Sequence, residues 1–411
     1  MTQITNNNPI DELLSGKDYD IKKSRNARWI DQKCTPDVLS IIAECILMYA
    51  KKNQNHSFKS ADIWHNDDSN KLIVENFKKP STDHEGAKNE YDKFFQQPME
   101  LMSYAGILNK EKKRGRNYYA IINLTILEYI SLSPTNSLNF LVKYIKKVLD
   151  DSSIYSLFQN YFNHQTPDTF QELKQKFKEF TIANTNINGE FEPNRIFIKV
   201  MNPLAFKNNA KGTKRGFMSK DIIKWPDLIY SVDNFRDIQN KKPKNLTREE
   251  WKNIIAKKNN YINLKRLSRN AVFNYQKYIK NYKNGISELN NDIFQGNPEI
   301  HHIFPKSQYP NISHYYENLI ALSPNIHTLA HNNGKYSTVN KECQLKLLIC
   351  KSKCIEENSN KPISQQMCSF DNFMHVLDEG FETDLFERVK TNNFKEVNNI
   401  LNERLEDIGH N

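Results

Sequence analysis

The stretch that decides the fold of the C-terminal part of the chain is rich in histidine. It contains Glu299-Ile300-His301-His302-Ile303-Phe304-Pro305, Asn318-Leu319-Ile320-Ala321-Leu322, His327 and His331. Five of the chain's 11 histidines fall between residues 299 and 331, far more than an even distribution would place there. Imidazole groups bind metal ions and transfer protons near neutral pH. The clustering therefore indicates a chemical site.

The hydrophobic pattern of this stretch predicts a strand, a loop, a second strand and a helix. Ile303 and Phe304 lie between a histidine pair and a proline, which is typical of a short strand that enters a turn. The apolar run at residues 319–322 predicts the second strand. Pro324 then marks the start of a helix. The site is thus expected on a compact α+β module.

Two histidines of the predicted helix have the spacing of metal ligands. His327 and His331 are four residues apart, so a helix places them on one face. Histidines at this spacing can share one metal ion. His314, in the predicted loop, is expected to be a loop residue and not a ligand.

These residues resemble the motif of the HNH, or ββα-metal, nuclease family, in the histidine-rich form of the DNase colicins. The residues that carry the resemblance are Glu299, Ile300, His301, His302, Asn318, His327 and His331. The resemblance implies that His301, His327 and His331 bind one divalent metal ion. It also implies that His302 is the general base and that Asn318 holds the loop that aims it.

The chemistry of phosphodiester hydrolysis agrees with these roles. The reaction needs an activated water, a Lewis acid on the phosphate and stabilisation of the leaving oxygen. A neutral imidazole suits proton abstraction at pH 7, and His302 points to the opposite side of the strand from its neighbour His301. Glu299 shares the strand parity of His301 and is expected to orient that imidazole.

The metal and the phosphate-binding cation remain open at this point. Three imidazoles favour Zn²⁺, Mn²⁺, Co²⁺ or Ni²⁺ over Mg²⁺, whereas nucleases of the family often work with Mg²⁺. We expect one divalent ion, Mg²⁺ or Mn²⁺ for activity, at a site that also accepts Zn²⁺, Co²⁺ or Ni²⁺. The colicins use an arginine near the phosphate, and Lys306 and Lys335 are candidates by proximity. The alternative interpretation is a cluster of surface histidines.

Residues 27–125 predict a winged-helix-like DNA-binding module. Three helices are expected, over residues 36–49, 57–64 and 91–104, followed by a basic glycine turn and a strand. In winged helices the third helix enters the major groove while the basic wing touches phosphate. The predicted wing contacts are Lys112, Lys113, Arg114 and Arg116. The alternative is a three-helix module that packs on other protein surfaces, with a solvated hairpin.

Residues 126–295 predict a helical, basic region. Residues 207–220 contain five cationic and no acidic side chains and predict a flexible basic loop. Residues 241–283 carry 13 Lys or Arg and two Asp or Glu, a local excess larger than the whole chain's formal charge of +10. We interpret both segments as phosphate-binding surface, with a solvated lysine-rich face as the alternative. The predicted contacts are Lys211, Lys214, Arg215, Lys265, Arg266 and Arg269.

Length and composition set the remaining expectations. A chain of 411 residues is expected to hold two or three domains. No membrane-spanning segment or signal peptide is expected, and the six cysteines lack a disulfide pattern, which favours the cytoplasm. The predicted regions are an N-terminal arm (1–26), the winged-helix-like module (27–125), the basic helical region (126–295), the nuclease motif (296–336) and a helical region that braces the nuclease (337–411).

These observations together predict a mostly helical α+β protein that acts as a site-specific double-stranded DNA endonuclease, most like a type II restriction endonuclease. The resemblance implies that cleavage leaves 5′ phosphates, and a DNA methyltransferase is expected as a functional partner. A homodimer is compatible with the sequence, which does not decide the oligomeric state. The alternatives are a non-specific or modification-dependent HNH nuclease, and a DNA-binding regulator with an inactive nuclease module.

Overall fold

The computed structural model describes residues 8–53, 57–77, 79, 82, 87–214, 216–230, 245–289, 298–331 and 339–409. The chain is mostly helical (64%) with small antiparallel sheets, which confirms the predicted α+β class. It divides into two compact units, Met1–Asp237 and Ile238–Asn411. Within the described ranges, no helix has the length and apolar character needed to span a membrane.

In its described part, the first unit consists of helices and two β-hairpins. Its elements are α1 (Pro9–Ser15), α2 (Ile21–Ser24), α3 (Pro36–Asn53), α4 (Ser60–Trp64), α5 (Asp67–Phe77), α6 (Ala87–Tyr104), β1 (Leu108–Lys113), β2 (Arg116–Ile121), α7 (Leu124–Leu132), α8 (Pro134–Asp151), α9 (Tyr155–His164), α10 (Pro167–Asn184), α11 (Phe191–Lys207), β3 (Lys211–Lys214) and β4 (Phe217–Ile222). Each hairpin directly follows a long helix.

The first hairpin lies at the edge of a small helical module. Strands β1 and β2 pair antiparallel from Leu108 with Ile121 to Lys113 with Arg116. Phe58, which precedes α4, forms an isolated antiparallel bridge with Tyr119 of β2. The sheet is therefore anchored to the chain between α3 and α4, while its turn extends into solvent.

The second hairpin corrects a prediction. The composition of residues 207–220 predicts a flexible loop, but β3 and β4 pair antiparallel, with Lys214 opposite Phe217. Gly216 has a φ of 85°, a conformation that glycine adopts without steric cost and that closes a tight hairpin turn. Asn202 of α11 also bonds both backbone groups of Thr213, at 2.8 and 3.1 Å. These bonds hold β3 against the helix.

In its described residues, the second unit packs helices around one antiparallel pair of short strands. Its elements are α12 (Arg248–Tyr282), β5 (Glu299–His302), β6 (Leu319–Leu322), α13 (Pro324–Ala330), α14 (Lys341–Ser359), α15 (Phe370–Phe381) and α16 (Phe394–Gly409). A capping box opens α12, because Thr247 Oγ1 accepts from the Glu250 backbone at 3.2 Å and Glu250 accepts from the Thr247 backbone at 2.8 Å.

The predicted strand, loop, strand and helix are present, with one shift. The first strand is β5, and Ile303 and Phe304 follow it as buried residues of the turn. Strand β6 is buried along its whole length. Helix α15 packs directly on Phe304, since a Cβ placed on Gly380 would lie 2.3 Å from its ring. The turn after β5 is thus fixed by tertiary packing, which the local pattern does not encode.

A buried carboxylate ties the hairpin to the helices. Glu288 accepts a hydrogen bond from the Ala321 backbone of β6 at 2.8 Å and from the Tyr275 hydroxyl of α12 at 2.7 and 2.8 Å. Lys351 of α14 lies 3.7 Å from the same carboxylate. Buried charges are tolerated when they are paired and hydrogen-bonded in this way. The network links α12 and α14 to β6, the strand that pairs with the histidine-bearing strand β5.

We expect a second buried carboxylate, Glu317, to make stability pH-dependent. Burial raises the pKa of Glu317 from 4.5 to about 7. A raised pKa means that the stability contribution is complete below about pH 4.5 and is lost as pH rises through about 7. Glu317→Gln should therefore raise the free energy of unfolding at pH 8 by up to about 3 kcal/mol, with a smaller gain at pH 5. Urea unfolding of the variant and the wild type at both pH values measures this difference. An equal difference at both pH values would contradict this.

Candidate metal centre

The hairpin and the helix that follows it bring three histidines together. His301 lies on β5 opposite Ile320 of β6 and is 1% exposed. His327 lies on α13, which Ser323 opens by capping the Ile326 backbone. His331 directly follows α13 and has an extended backbone, with a φ of −94°. The prediction that both helix histidines share one helical face is therefore wrong in detail, because α13 ends at Ala330.

The three imidazoles converge. Their ring centroids are 4.9 to 5.1 Å apart, and one potential ligand atom from each lies within 4.8 Å of the others. The Nε2 atoms of His327 and His331 are 3.3 Å apart. Among the described residues, this is the group of at least three His, Cys, Asp or Glu side chains that has the geometry of a metal site.

The donor atoms at this cluster fit a divalent cation. The Nε2 atom of His301 is buried and makes no hydrogen bond within the described part of the chain. Burial, followed by the charges of the neighbouring histidines, lowers the pKa of His301 to about 3, so its imidazole is neutral at pH 7. A neutral buried nitrogen on a ring whose centroid lies 4.9 and 5.1 Å from those of two other imidazoles is a suitable ligand for a borderline metal ion.

Glu299 contacts a different imidazole from the one expected. Its Oε2 atom hydrogen-bonds Nδ1 of His327, not His301. Glu299 is the exposed first residue of β5, whereas His301 is buried. A carboxylate on Nδ1 fixes the ring tautomer so that Nε2 carries the lone pair. Glu299 therefore prepares His327, and not His301, to act as a ligand.

His302 is held on the other side of the strand by two oxygen atoms. Its Nε2 atom lies 3.0 Å from the Ser313 carbonyl oxygen and 3.2 Å from Ser268 Oγ. Because the carbonyl only accepts, Nε2 carries the proton and Nδ1 carries the lone pair. Burial and the charge of Lys306 lower the pKa of His302 to about 4, so the ring is neutral at pH 7. This ring can accept a proton at Nδ1.

Asn318 fixes the loop that holds His302. Its side chain accepts from the Phe304 backbone at 2.8 Å and donates to the Phe304 and Ile312 carbonyls at 3.0 and 3.3 Å. Ile312 directly precedes Ser313, whose carbonyl bonds His302. Asn318 is fully buried, so these bonds are shielded from water. The loop after β5 is closed at both of its ends by one side chain.

The predicted cationic residues differ in how the chain presents them. Lys112, Lys113, Arg114 and Arg116 are all exposed at the turn of the first hairpin. On the second hairpin, Lys214 is exposed and lies 2.9 Å from Asp227, Lys211 is half-buried, and Arg215 lies outside the described residues.

One predicted contact on α12 is corrected. Lys265 and Arg269 are exposed, but Arg266 is only 6% exposed, so it lies on the packed side of the helix and does not face solvent. Its position follows from helical periodicity around the buried Leu264 and Leu267, which a charge count does not take into account.

Three further positions complete the comparison with the sequence. His314 is a buried loop residue whose ring lies 4.7 Å from that of Tyr315. Lys306 is exposed just after β5, and Lys335 lies outside the described residues. The sequence pattern does not single out Ser268 or Ser313. Ser268 lies 34 residues before His302, and no local pattern signals that contact.

Comparisons of the chain with protein-family models, with curated proteins and with solved structures found no match.

Proposed function

We propose that this protein is a metal-dependent DNA endonuclease of the HNH class, and specifically a type II restriction endonuclease. The observation that carries the proposal is the division of roles around β5. Three imidazoles converge on one side, and His302, with its Nε2 atom hydrogen-bonded, lies next to His301 in the same strand. This is the chemical inventory that phosphodiester hydrolysis needs, a ligand set and a separate neutral base.

His301, His327 and His331 would hold one divalent ion. When bound, the ion supplies Lewis-acid stabilisation of the scissile phosphate and the leaving oxygen. His302 accepts the proton of the attacking water at Nδ1. As the ring becomes positive, its Nε2–H group stays directed at Ser313 and Ser268, whose oxygens favour the charged form. Asn318 maintains this orientation by holding the loop.

The first unit is the proposed DNA-reading part. The three predicted helices are α3, α4 and α6, and together with the Phe58 bridge and hairpin β1–β2 they have an order similar to that of a winged helix. Helix α5 is a fourth helix that the sequence pattern does not predict. The exposed cations at the hairpin turn suit contact with phosphate, and helix α6 would read base edges in the major groove. Lys265 and Arg269 of α12 add cationic surface to the nuclease unit. A restriction function further requires a DNA methyltransferase that protects host sites.

We expect the first hairpin to contribute measurably to DNA binding. Changing Lys112, Lys113, Arg114 and Arg116 together to Ala should weaken binding and flatten its salt dependence, by about 0.9 log units of slope for each phosphate that the variant no longer neutralises. Fluorescence anisotropy with duplex DNA at several salt concentrations measures this slope. Lys176→Ala, an exposed cation of α10, is the control. An unchanged slope would leave the hairpin as a protein-docking surface.

The proposed activity is tested with supercoiled plasmid. Purified protein with Mg²⁺ or Mn²⁺ should nick and linearise the plasmid, and EDTA should prevent this. The products should carry 5′ phosphates and be rejoined by DNA ligase without prior kinase treatment. If the protein binds the plasmid but leaves it intact with every divalent ion tested, the nuclease proposal fails and the DNA-binding regulator remains.

A further inference from the structure

The first unit contains the same arrangement of elements twice. In each copy a long helix begins with proline after Ser or Thr, two helices follow, and a helix with an internal proline leads into a β-hairpin. The first copy runs from α3 to β2 and the second from α8 to β4. The opening helices α3 and α8 are each 18 residues long. The sequence shows no repeat, because the similarity lies in the backbone.

Backbone hydrogen bonds match between the two copies at the point where helix becomes hairpin. In the first copy they are Ala105 N to Leu101 O (2.8 Å), Gly106 N to Ser103 O (3.1 Å), Ile107 N to Met102 O (2.8 Å) and Ile122 N to Ile107 O (3.1 Å). In the second they are Asn208 N to Leu204 O (3.0 Å), Asn209 N to Phe206 O (3.2 Å), Ala210 N to Ala205 O (2.8 Å) and Ile223 N to Ala210 O (3.0 Å).

The helix ends also share an unusual conformation. Gly106 has a φ of 82° and Asn209, at the matching position, has a φ of 47°. A left-handed residue at this point ends the helix and redirects the chain. The chain therefore passes from helix to hairpin with the same backbone conformation in both copies. Because the turn of hairpin β1–β2 is proposed to contact DNA, the turn of hairpin β3–β4 is a candidate for a similar role.

The two hairpin turns carry different chemistry. In the first, Lys113 lies opposite Arg116, so the last pair before the turn is cationic on both strands. In the second, Lys214 lies opposite Phe217. Phe217 is 69% exposed, although it is the residue that directly follows the turn glycine. The first turn offers cationic side chains alone, whereas the second offers an exposed aromatic ring beside a lysine that is paired with Asp227.

Phe217 is held in its exposed position by ordered backbone. Lys174 of α10 donates to the carbonyl of Gly216 at 2.7 Å, and Thr213 Oγ1 donates to the carbonyl of Phe217 at 3.1 Å. Between residues 207 and 220 the sequence has five cationic side chains and no acidic one. One of them, Lys214, the strand partner of Phe217, also pairs with Asp227 at 2.9 Å. An exposed phenyl ring in such surroundings suits a ligand that offers both negative charge and flat apolar faces, as nucleic acid does.

We propose that hairpin β3–β4 is a second DNA-contacting hairpin, which places Phe217 against the bases of a duplex step while its lysines contact the adjacent phosphates. The identity of the ligand as duplex DNA rests on the proposed function. Apolar side chains inserted between base pairs partly unstack and kink the duplex. The protein therefore deforms DNA at one hairpin and holds phosphate at the other.

The test uses the full-length chain carrying His302→Ala, which should slow cleavage by about 10²–10⁴-fold. This parent is compared with the same chain that also carries Phe217→Ala. A closed circular plasmid is relaxed by a topoisomerase in the presence of each protein. The parent should shift the topoisomer distribution, and Phe217→Ala should remove most of that shift. Binding to a mixed-sequence duplex should weaken by about tenfold, because the variant cannot stack a base on the ring. The salt slope should stay unchanged, since the substitution removes no cation.

Two further variants make the comparison specific. Phe217→Trp should retain the parent's topoisomer shift. Phe191→Ala should behave as the parent, since Phe191 is 66% exposed in the same unit but lies at the start of α11 beneath Arg195. If Phe217→Ala and Phe191→Ala give the same topoisomer shift and the same duplex affinity, the inference is wrong, and contact with a protein partner becomes the alternative role of the hairpin.

The outcomes also separate this inference from the proposed function. If the wild-type protein cuts plasmid while Phe217→Ala binds and deforms DNA as the parent does, only the second hairpin is wrongly assigned. If Phe217→Ala loses the topoisomer shift but the wild type cuts no DNA, only the nuclease proposal fails. If the parent binds no duplex, both fail.

Discussion

Replacing His302 with alanine is expected to lower the cleavage rate by about 10²–10⁴-fold, the range typical of a lost general base, and to leave metal binding nearly intact. The reason is geometric. Nε2 of His302 is engaged by Ser313 and Ser268, and the ring belongs to the opposite side of the strand from the convergent imidazoles of His301, His327 and His331. The base and the ligands are neighbours in sequence but separate in function.

His331→Ala provides the matched comparison for this role split. His331 lies 3.3 Å from the His327 ring through their Nε2 atoms, so its loss should weaken metal binding as well as cleavage. Calorimetric titration of Mn²⁺ or Zn²⁺ into the two variants and the wild type measures the difference. Equal loss of metal affinity in both variants would show that His302 is itself a ligand.

Glu299→Gln is expected to lower metal affinity by about 10–100-fold, the usual effect of removing a carboxylate behind a ligating histidine. Glu299 hydrogen-bonds Nδ1 of His327 and so orients the ring and fixes the tautomer in which Nε2 carries the lone pair. Gln retains a similar shape but not the charge. At saturating metal the cleavage rate should recover, because Glu299 acts on a metal ligand and not on the general base.

The control for Glu299→Gln is Glu342→Gln. Glu342 is an exposed carboxylate of the same unit that pairs with Lys346 at 2.6 Å on α14. Titration of metal into both variants under the same conditions distinguishes a specific effect from a general loss of negative charge. If the two variants bind metal with the same affinity, Glu299 does not prepare His327, and its contact is a surface ion pair.

The elements around the site follow from local sequence patterns. A histidine pair before an apolar turn, an apolar run and a proline start signal predict β5, β6 and α13, and the capping box at Thr247 predicts the start of α12. These patterns involve only neighbouring residues, so the elements that they predict do not depend on contacts between distant parts of the chain. The convergence of His301 and His327 follows once the hairpin and helix are in place.

What the sequence could not provide depends on contacts between distant residues. The bond from Ser268 to His302 spans 34 positions, and the bond from Glu299 to His327 spans 28, so neither contact is encoded by a local pattern. A charge total places Arg266 among the solvent-facing cations because it ignores which helix face is packed. The sequence pattern does not predict the second hairpin. The helix before it ends at Asn209, which has a left-handed conformation, whereas glycine is the usual signal for such a helix end.

The proposed restriction function is tested most directly by mapping the ends that the protein produces on a long unmodified duplex with Mg²⁺ or Mn²⁺. A non-specific nuclease needs only the catalytic unit and phosphate contacts, which carry no sequence information. In the proposed function, the two hairpins and the helices of the first unit would read bases, where each wrong base pair costs about 1–3 kcal/mol. We expect discrete, reproducible fragments whose ends share one short sequence. A smear at low enzyme concentration, with no shared sequence at the mapped ends, would contradict the restriction function.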